Sequence, residues 1–286
     1  MSVNITTSFV EQYSANVQML SQQMGSKLRG AVDVESIKGK NSFFEQIGKV
    51  TAQLRTSRHG STPQIDTPHS RRSLTTATYE WADLIDDSDK IRMLIDPTSS
   101  YAKAAAAAMG RAMDSVIITA ALGTAKTGVS GATSTALPST QKVAHGSAGL
   151  TVAKLLSAKK ILDENDVDPS VKRYCVVSPE QVEDLLNTTE VKSSDFNTVK
   201  ALAQGDINSY LGFDFITSNL LTADATPSRQ VIAFAADGIK LGIGKDITAK
   251  ISERDDKSYS TQVYYCMDLG ATRMEEEKVV EIACNE

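Results

Sequence analysis

The sequence predicts a mixed α+β chain, and three observations carry that prediction. The stretch Asp96–Gly123, DPTSSYAKAAAAAMGRAMDSVIITAALG, asks for one long helix with five consecutive alanines inside it. Residues 150–217 interleave helix-like and strand-like segments, and the last 58 residues alternate apolar and polar side chains around polar turns. Such an order fits helices laid on sheets better than a bundle or a pure sandwich. With 286 residues, 41% hydrophobic and 23% charged, the chain can bury one large core or two modest ones.

Taken in order, the elements are these. Ser8 and Glu11 match the capping box S-x-x-E, and Phe9, Tyr13, Val17, Leu20 and Met24 recur at helical spacing. A first helix is therefore expected from Ser8 to about Met24, stopped by Gly25. After a turn at Gly39, helical character is expected again from Phe43 to Leu54. RHGSTPQIDTPHSRR (58–72) carries Gly60, Pro63, Pro68, two histidines and Arg58, Arg71 and Arg72, with almost nothing apolar. It cannot bury itself, so an exposed loop or hairpin tip is expected. SLTTATYEWADLIDD reads as the strand returning from it.

The long helix follows. Pro97 suits its start, and Ser99 or Ser100 can cap it. Ala102, Ala105, Met109, Met113, Val116, Ile117 and Ala120 share one face, and Gly123 closes it. About 22 residues make a rod of roughly 33 Å. Alanine combines the highest helix propensity with the smallest helical side chain, so a neighbouring element can approach closely. Residues 124–149 read as a loop with short strands. Thr151 opens a helix with Val152, Leu155, Leu156 and Leu162 inward. Tyr174–Val177 reads as a buried strand, and Ser178, Pro179 and Gln181 start the next helix. SSDFNTVKALAQG reads as a further helix and INSYLGFDFITSN as strand with Gly212 at a turn. Asp237-Gly238 is a hairpin signal, a polar turn is expected from Glu253 to Lys257, and EKVVEIACN is the final strand.

Composition narrows the functions. Aromatics are only 6% and the formal net charge is −5, which argues against a dedicated nucleic-acid binder. The charge is uneven: residues 1–72 carry a net +4 and the remainder −9. Cys175, Cys266 and Cys284 show no CxxC spacing and read as free thiols in a reducing compartment. The start, MSVNITTSFVEQ, lacks the basic region of a signal peptide, and no apolar run is read as long enough to span a bilayer. Catalytic and cofactor motifs fail on inspection. GIKLGIGKD has Ile239 and Asp246 where a phosphate loop needs Gly and Ser or Thr, and Ile247 where a dinucleotide fingerprint needs Gly or Ala. The serines at 130 and 147 lack a G-x-S-x-G elbow. The acids of ADLIDDSDK lack the calcium-loop pattern, and His59, His69 and His145 lack zinc spacing. No catalytic, cofactor or metal site is assigned, so an enzyme is not expected.

Three segments, in this order, carry a resemblance. RRSLTTATYEWADLIDDSDKIRMLIDP runs into the alanine helix; LTVAKLLSAKKILDENDVDP follows; RYCVVSPEQVEDLLN then leads to FNTVKALAQGDINSYLGFDFITSN. In combination they are similar to tailed-bacteriophage major capsid proteins of the Hong Kong 97 fold. The resemblance implies an N-terminal arm (1–38), an extended E-loop region (39–96), a peripheral domain with a long spine helix (97–169), an axial domain (170–245) and peripheral return strands (246–286). It implies a coat subunit that assembles with itself into hexamers and pentamers of an icosahedral head around double-stranded DNA. An encapsulin-like compartment of the same fold is the alternative.

The implied partners are further copies, a separate scaffolding protein and a portal, with DNA contacted non-specifically and no membrane. The implied location is the virion, assembled in the host bacterial cytoplasm. On this reading the basic loop residues Arg55, Arg58, Arg71 and Arg72 lie on an acidic neighbour. Asp83, Asp86, Asp87 and Asp89, or Glu275, Glu276 and Glu277, are its candidate counterparts. Reversing Arg71 and Arg72 to Glu is expected to impair assembly and leave the subunit folded.

Overall fold

The computed structural model describes residues 21–62, 64–86, 98–187, 209–223 and 228–286. In chain order the elements are β1 (Asp33–Ser36), β2 (Asn41–Ile47), β3 (His69–Thr75), β4 (Ala77–Ile85), α1 (Thr98–Leu122), β5 (Ala125–Thr127), β6 (Thr133–Thr135), β7 (Lys142–Val143), α2 (Val152–Glu164), β8 (Arg173–Val177), α3 (Pro179–Asn187), β9 (Ser209–Tyr210), β10 (Phe213–Thr217), β11 (Ser228–Ala235), β12 (Ile239–Arg254), β13 (Ser260–Arg273) and β14 (Val279–Asn285). They form three sheets, of order β1-β12-β13-β4, β7-β14-β11-β8-β10-β9 and β2-β3-β5-β6. The chain is thus mixed helix and sheet, as its pattern predicts.

The alanine helix is α1, one element of 25 residues. Ala105, Met109, Met113, Ile117 and Ala121 are buried along it, with Ile118 and Asp114 beside them. Ala102, Val116 and Ala120 are half-buried at the flanks of that stripe. It packs on β13, β12 and β4, so the stiff rod backs the longest hairpin of the molecule. By length and composition, Tyr101–Leu122 could also cross a bilayer, which the sequence reading did not anticipate. Here that apolar surface is spent on the protein core, and the buried Asp114 carboxylate in its middle is fully engaged by protein donors.

The six-stranded sheet supplies the main core. β8, β11 and β14 are apolar on both faces: Cys175, Val177, Val231, Ala233, Val279 and Ile282 are all closed to solvent. α2 starts where expected, with Thr151 Oγ1 accepting from Lys154 N–H at 3.4 Å. At α3 the Gln181 side chain accepts from Ser178 N–H at 3.0 Å, the reciprocal half of a capping box. Gly212 has φ +85°, a turn conformation that suits glycine, between β9 and β10.

Four expectations change. Phe43–Leu54 is not a helix: β2 pairs antiparallel with β3 from Asn41↔Thr75 to Ile47↔His69. Phe43, Phe44 and Ile47 fit helical spacing, but pairing sends Phe44 inward against Ile37 and Leu74 and leaves Phe43 outside. Asp237-Gly238 is a turn and not a hairpin tip. Gly238 N–H bonds Ala235 C=O at 2.8 Å, yet β11 and β12 belong to different sheets. Neither residue has the positive φ that a two-residue type I′ hairpin needs. Leu156 faces outward on α2. Of the expected first helix, only Ser21–Met24 lies within the described residues, and these are not helical. The expected helix in 193–205 lies outside them.

Candidate assembly surface

Two buried charge clusters fix the framework. On α1, Asp114 accepts from Gln23 Nε2, from Ser26 Oγ and from the backbone N–H groups of Lys27 (3.0 Å) and Leu28 (3.1 Å). One turn earlier, Arg111 donates to Gln22 Oε1 (2.9 Å) and Gln23 C=O (3.2 Å). Gly110 lets the backbones touch: a Cβ there would sit 2.3 Å from the carbonyl carbon of Gly25. Gly25 itself turns with φ +74°. The small-sided rod therefore receives residues 22–28 directly against its midpoint.

The second cluster lies at the C-terminal end of α1, whose last turn carries no basic residue. Arg273, fully buried on β13, supplies the charge. Its Nη1 donates to Ala121 C=O and Gly123 C=O, both at 2.8 Å, and its Nη2 to Thr135 C=O at 3.1 Å. A guanidinium there closes orphan helix carbonyls and meets the negative end of the helix dipole. Glu276 Oε1 is 3.6 Å from Arg273 Nη2, and its other oxygen pairs with Arg72 on β3. Burial pulls the Arg273 pKa down and the Glu276 charge holds it up. The root of the β2–β3 hairpin is thereby tied to the end of the long helix.

From that root the chain extends between β2 and β3. Gly48 N–H bonds Pro68 C=O at 2.8 Å, and beyond this closure residues 49–62 and 64–67 form no regular structure. Val50, Leu54 and Ile65 stand exposed, Leu54 at 89%. About twenty residues folded back on themselves reach roughly 30 Å. Loops of this length without secondary structure are uncommon inside a compact domain and are usually either functional or linkers.

The predicted contact residues separate into groups. Arg55 donates only to Ser57 C=O at 3.0 Å, and neither it nor Arg58 forms an ion pair among the described residues. Arg71 pairs with Glu45 across the hairpin, Nε to Oε1 at 2.7 Å, and stacks on Phe43. Arg72 and Glu276, expected on opposite sides of a contact between copies, pair with each other inside one chain. Reversing Arg72 would press two carboxylates together in a closed site, so it tests folding and not docking. This corrects the expectation that the Arg71 and Arg72 double reversal leaves the subunit folded.

On the acidic side, Asp83 accepts from Leu84 N–H (2.9 Å), Asp86 from Ser260 Oγ, and Glu275 pairs with Lys278 at 3.3 Å. Asp87 and Asp89 lie outside the described residues. Glu275, Glu276, Glu277 and Glu164 share an open cleft of about 530 Å³ with Lys49, Ser70 and Arg72. Sequence reasoning missed Asp114, Arg273 and Lys154, whose ammonium donates to the carbonyls of His145, Ala148 and Ala283. For Asp114 and Lys154 the available signal was a lone charge among mostly apolar residues, whereas Arg273 stands next to the acidic run Glu275–Glu277 and carried no such signal. Among the described residues no group of three His, Cys, Asp or Glu is arranged to hold a metal ion.

The family model described as phage capsid protein matches residues 5–286. This chain belongs to the phage capsid protein family. Among solved structures, this capsid protein is similar to the capsid of the cyanophage P-SCSP1u, with TM-score 0.79 and 18% identity over 100% of this chain and 96% of that one. It is similar to the Mycobacterium phage Che8 protein, with TM-score 0.73 and 19% identity over 96% and 97%. The head of the Helicobacter pylori bacteriophage KHP40 gives TM-score 0.73 and 10% identity over 100% and 98%. At such identities the likeness is one of fold, and it is the Hong Kong 97-like fold that the sequence predicts. The encapsulin alternative is not favoured by this family membership. No curated protein matches the chain in sequence.

Proposed function

We propose that this chain is the major coat subunit of a phage head, self-assembling through lateral contacts into hexamers and pentamers of a closed icosahedral shell around double-stranded DNA. One observation carries the reading: a long, exposed, unpaired loop with apolar and cationic side chains on a root locked by buried charges. An isolated subunit gains nothing from such a loop; a neighbour's surface gives it a partner. The division into arm, E-loop, peripheral and axial parts belongs to the same reading, as do assembly in the host cytoplasm, a separate scaffolding protein and a portal. The function is mechanical, and no catalysis is assigned to it.

Within this reading Arg55 and Arg58, which form no ion pair among the described residues, are loop cations that meet an acidic neighbour. Candidate surfaces are the Glu275–Glu277 cleft and the Asp83–Asp89 segment. Each exposed pair contributes roughly 0–1 kcal/mol, and repetition around a shell makes such weak contacts decisive while leaving assembly reversible. The double variant Arg55→Glu/Arg58→Glu is expected to keep the wild-type thermal unfolding midpoint and to lose most of its shell yield in sedimentation. Normal shell yield from that variant would remove the basic-loop contact.

A further inference from the structure

The three thiols occupy different settings. Cys175 and Cys284 are fully enclosed by the six-stranded sheet, where burial raises both pKa values, that of Cys284 to about 12. Cys266 lies on β13 and is also buried, at 5% exposure, and the Nζ of Lys245 on β12 stands 3.0 Å from its sulfur. The bulge explains this reach. Lys245 pairs with Asp268 and Thr248 with Cys266, so two residues of β12 oppose one of β13. Side chains two apart on a strand share a face, which puts the Lys245 stem beside the thiol. The other titratable groups facing this point are Asp268, which is in register with Lys245, together with Tyr264, Lys250 and Glu80, which is in register with Cys266 on β4. The Tyr264 hydroxyl donates to Glu80 at 2.9 Å. The thiol pKa is lowered, first by the Lys245 hydrogen bond, against the pull of desolvation. A thiolate is the reactive form of cysteine, and a cation beside it favours that form.

We propose that Cys266 and Lys245 are a modification site at which peroxide closes a covalent sulfenamide tie between β12 and β13. The Cys266 thiolate attacks one peroxide oxygen, the O–O bond breaks, and the sulfur is oxidised to sulfenic acid with one water released. The Lys245 amine, having given up its proton, then attacks that sulfur. The N–S bond forms, the S–O bond breaks, and the hydroxyl leaves with a proton as a second water. The net change is thiol plus amine plus hydrogen peroxide to sulfenamide plus two waters, with peroxide as the only oxidant. The tie sits at the register slip of the longest hairpin among the described residues and locks the strands where their backbone pairing is interrupted.

The test treats the folded full-length protein with hydrogen peroxide and maps cross-linked peptides by mass spectrometry. The expected product joins the Lys245 and Cys266 peptides, is lighter by two hydrogens than their sum, and is lost on treatment with dithiothreitol. Cys266→Ser abolishes it. Lys245→Arg keeps a cation at the sulfur, so the thiol still oxidises and is trapped by a sulfenic-acid probe, with no joined peptide. Two results would overturn the proposal. One is a wild-type Cys266 that advances to sulfinic acid with no joined peptide. The other is a Cys266 that resists peroxide until the protein is unfolded.

Discussion

Arg273→Leu is expected to destabilise the unassembled subunit by about 3–5 kcal/mol, the usual cost of removing one partner from a buried charge cluster. Leucine leaves the carbonyls of Ala121, Gly123 and Thr135 without a donor in a closed site. It also strands Glu276 with Arg72 as its remaining partner. The end of α1, the β5–β6 strands and the loop root should loosen together, because one guanidinium bonds the first two directly and reaches the third through Glu276. Denaturant unfolding of the subunit measures the change. Arg254→Ala provides the comparison, since the Arg254–Asp256 pair is exposed and its loss should cost at most about 1 kcal/mol. Equal effects from the two variants would show that burial of Arg273 does not matter.

Asp114→Ala is the second large effect, about 2–3 kcal/mol, because hydrogen bonds to a buried charge are strong and their orphaned donors are costly. Four donors from residues 23–28 converge on this carboxylate, and the alanine methyl replaces none of them. The damage should be local as well as global. Amide exchange at Lys27 and Leu28 should accelerate, and proteolysis should cut near Gly25 while β11 and β14 stay protected. Unchanged exchange at Lys27 and Leu28 would mean that the segment is held elsewhere. Glu at 114 keeps the charge but lengthens the side chain against a packed backbone, so it should rescue little.

Much of the fold was legible because local chemistry and tertiary structure agree. The alanine run, the stripe through Met109, Met113 and Ile117, and the caps at Thr151 and Ser178 each have one reading, and the structure uses it. Misreadings fall where a segment's fate depends on distant partners. Phe43–Ile47 has apolar spacing that serves helix or strand, and only the pairing with β3 decides between them. Asp237-Gly238 announces a turn but not which sheet each arm will join. The proposed contact residues were read as a basic loop and an acidic body. Charge alone did not reveal that Arg72 and Glu276 pair with each other within the chain, 204 positions apart. Nor did it mark Arg273 as a cap, because a helix end and a strand end meet only after folding.

Electron microscopy of the purified protein, expressed with the proposed scaffolding protein, tests the central claim most directly. The account predicts closed polyhedral shells of uniform size, with the loop between β2 and β3 in density against an adjacent subunit. Particles that stay single at high concentration, with that loop touching no other copy, would contradict it.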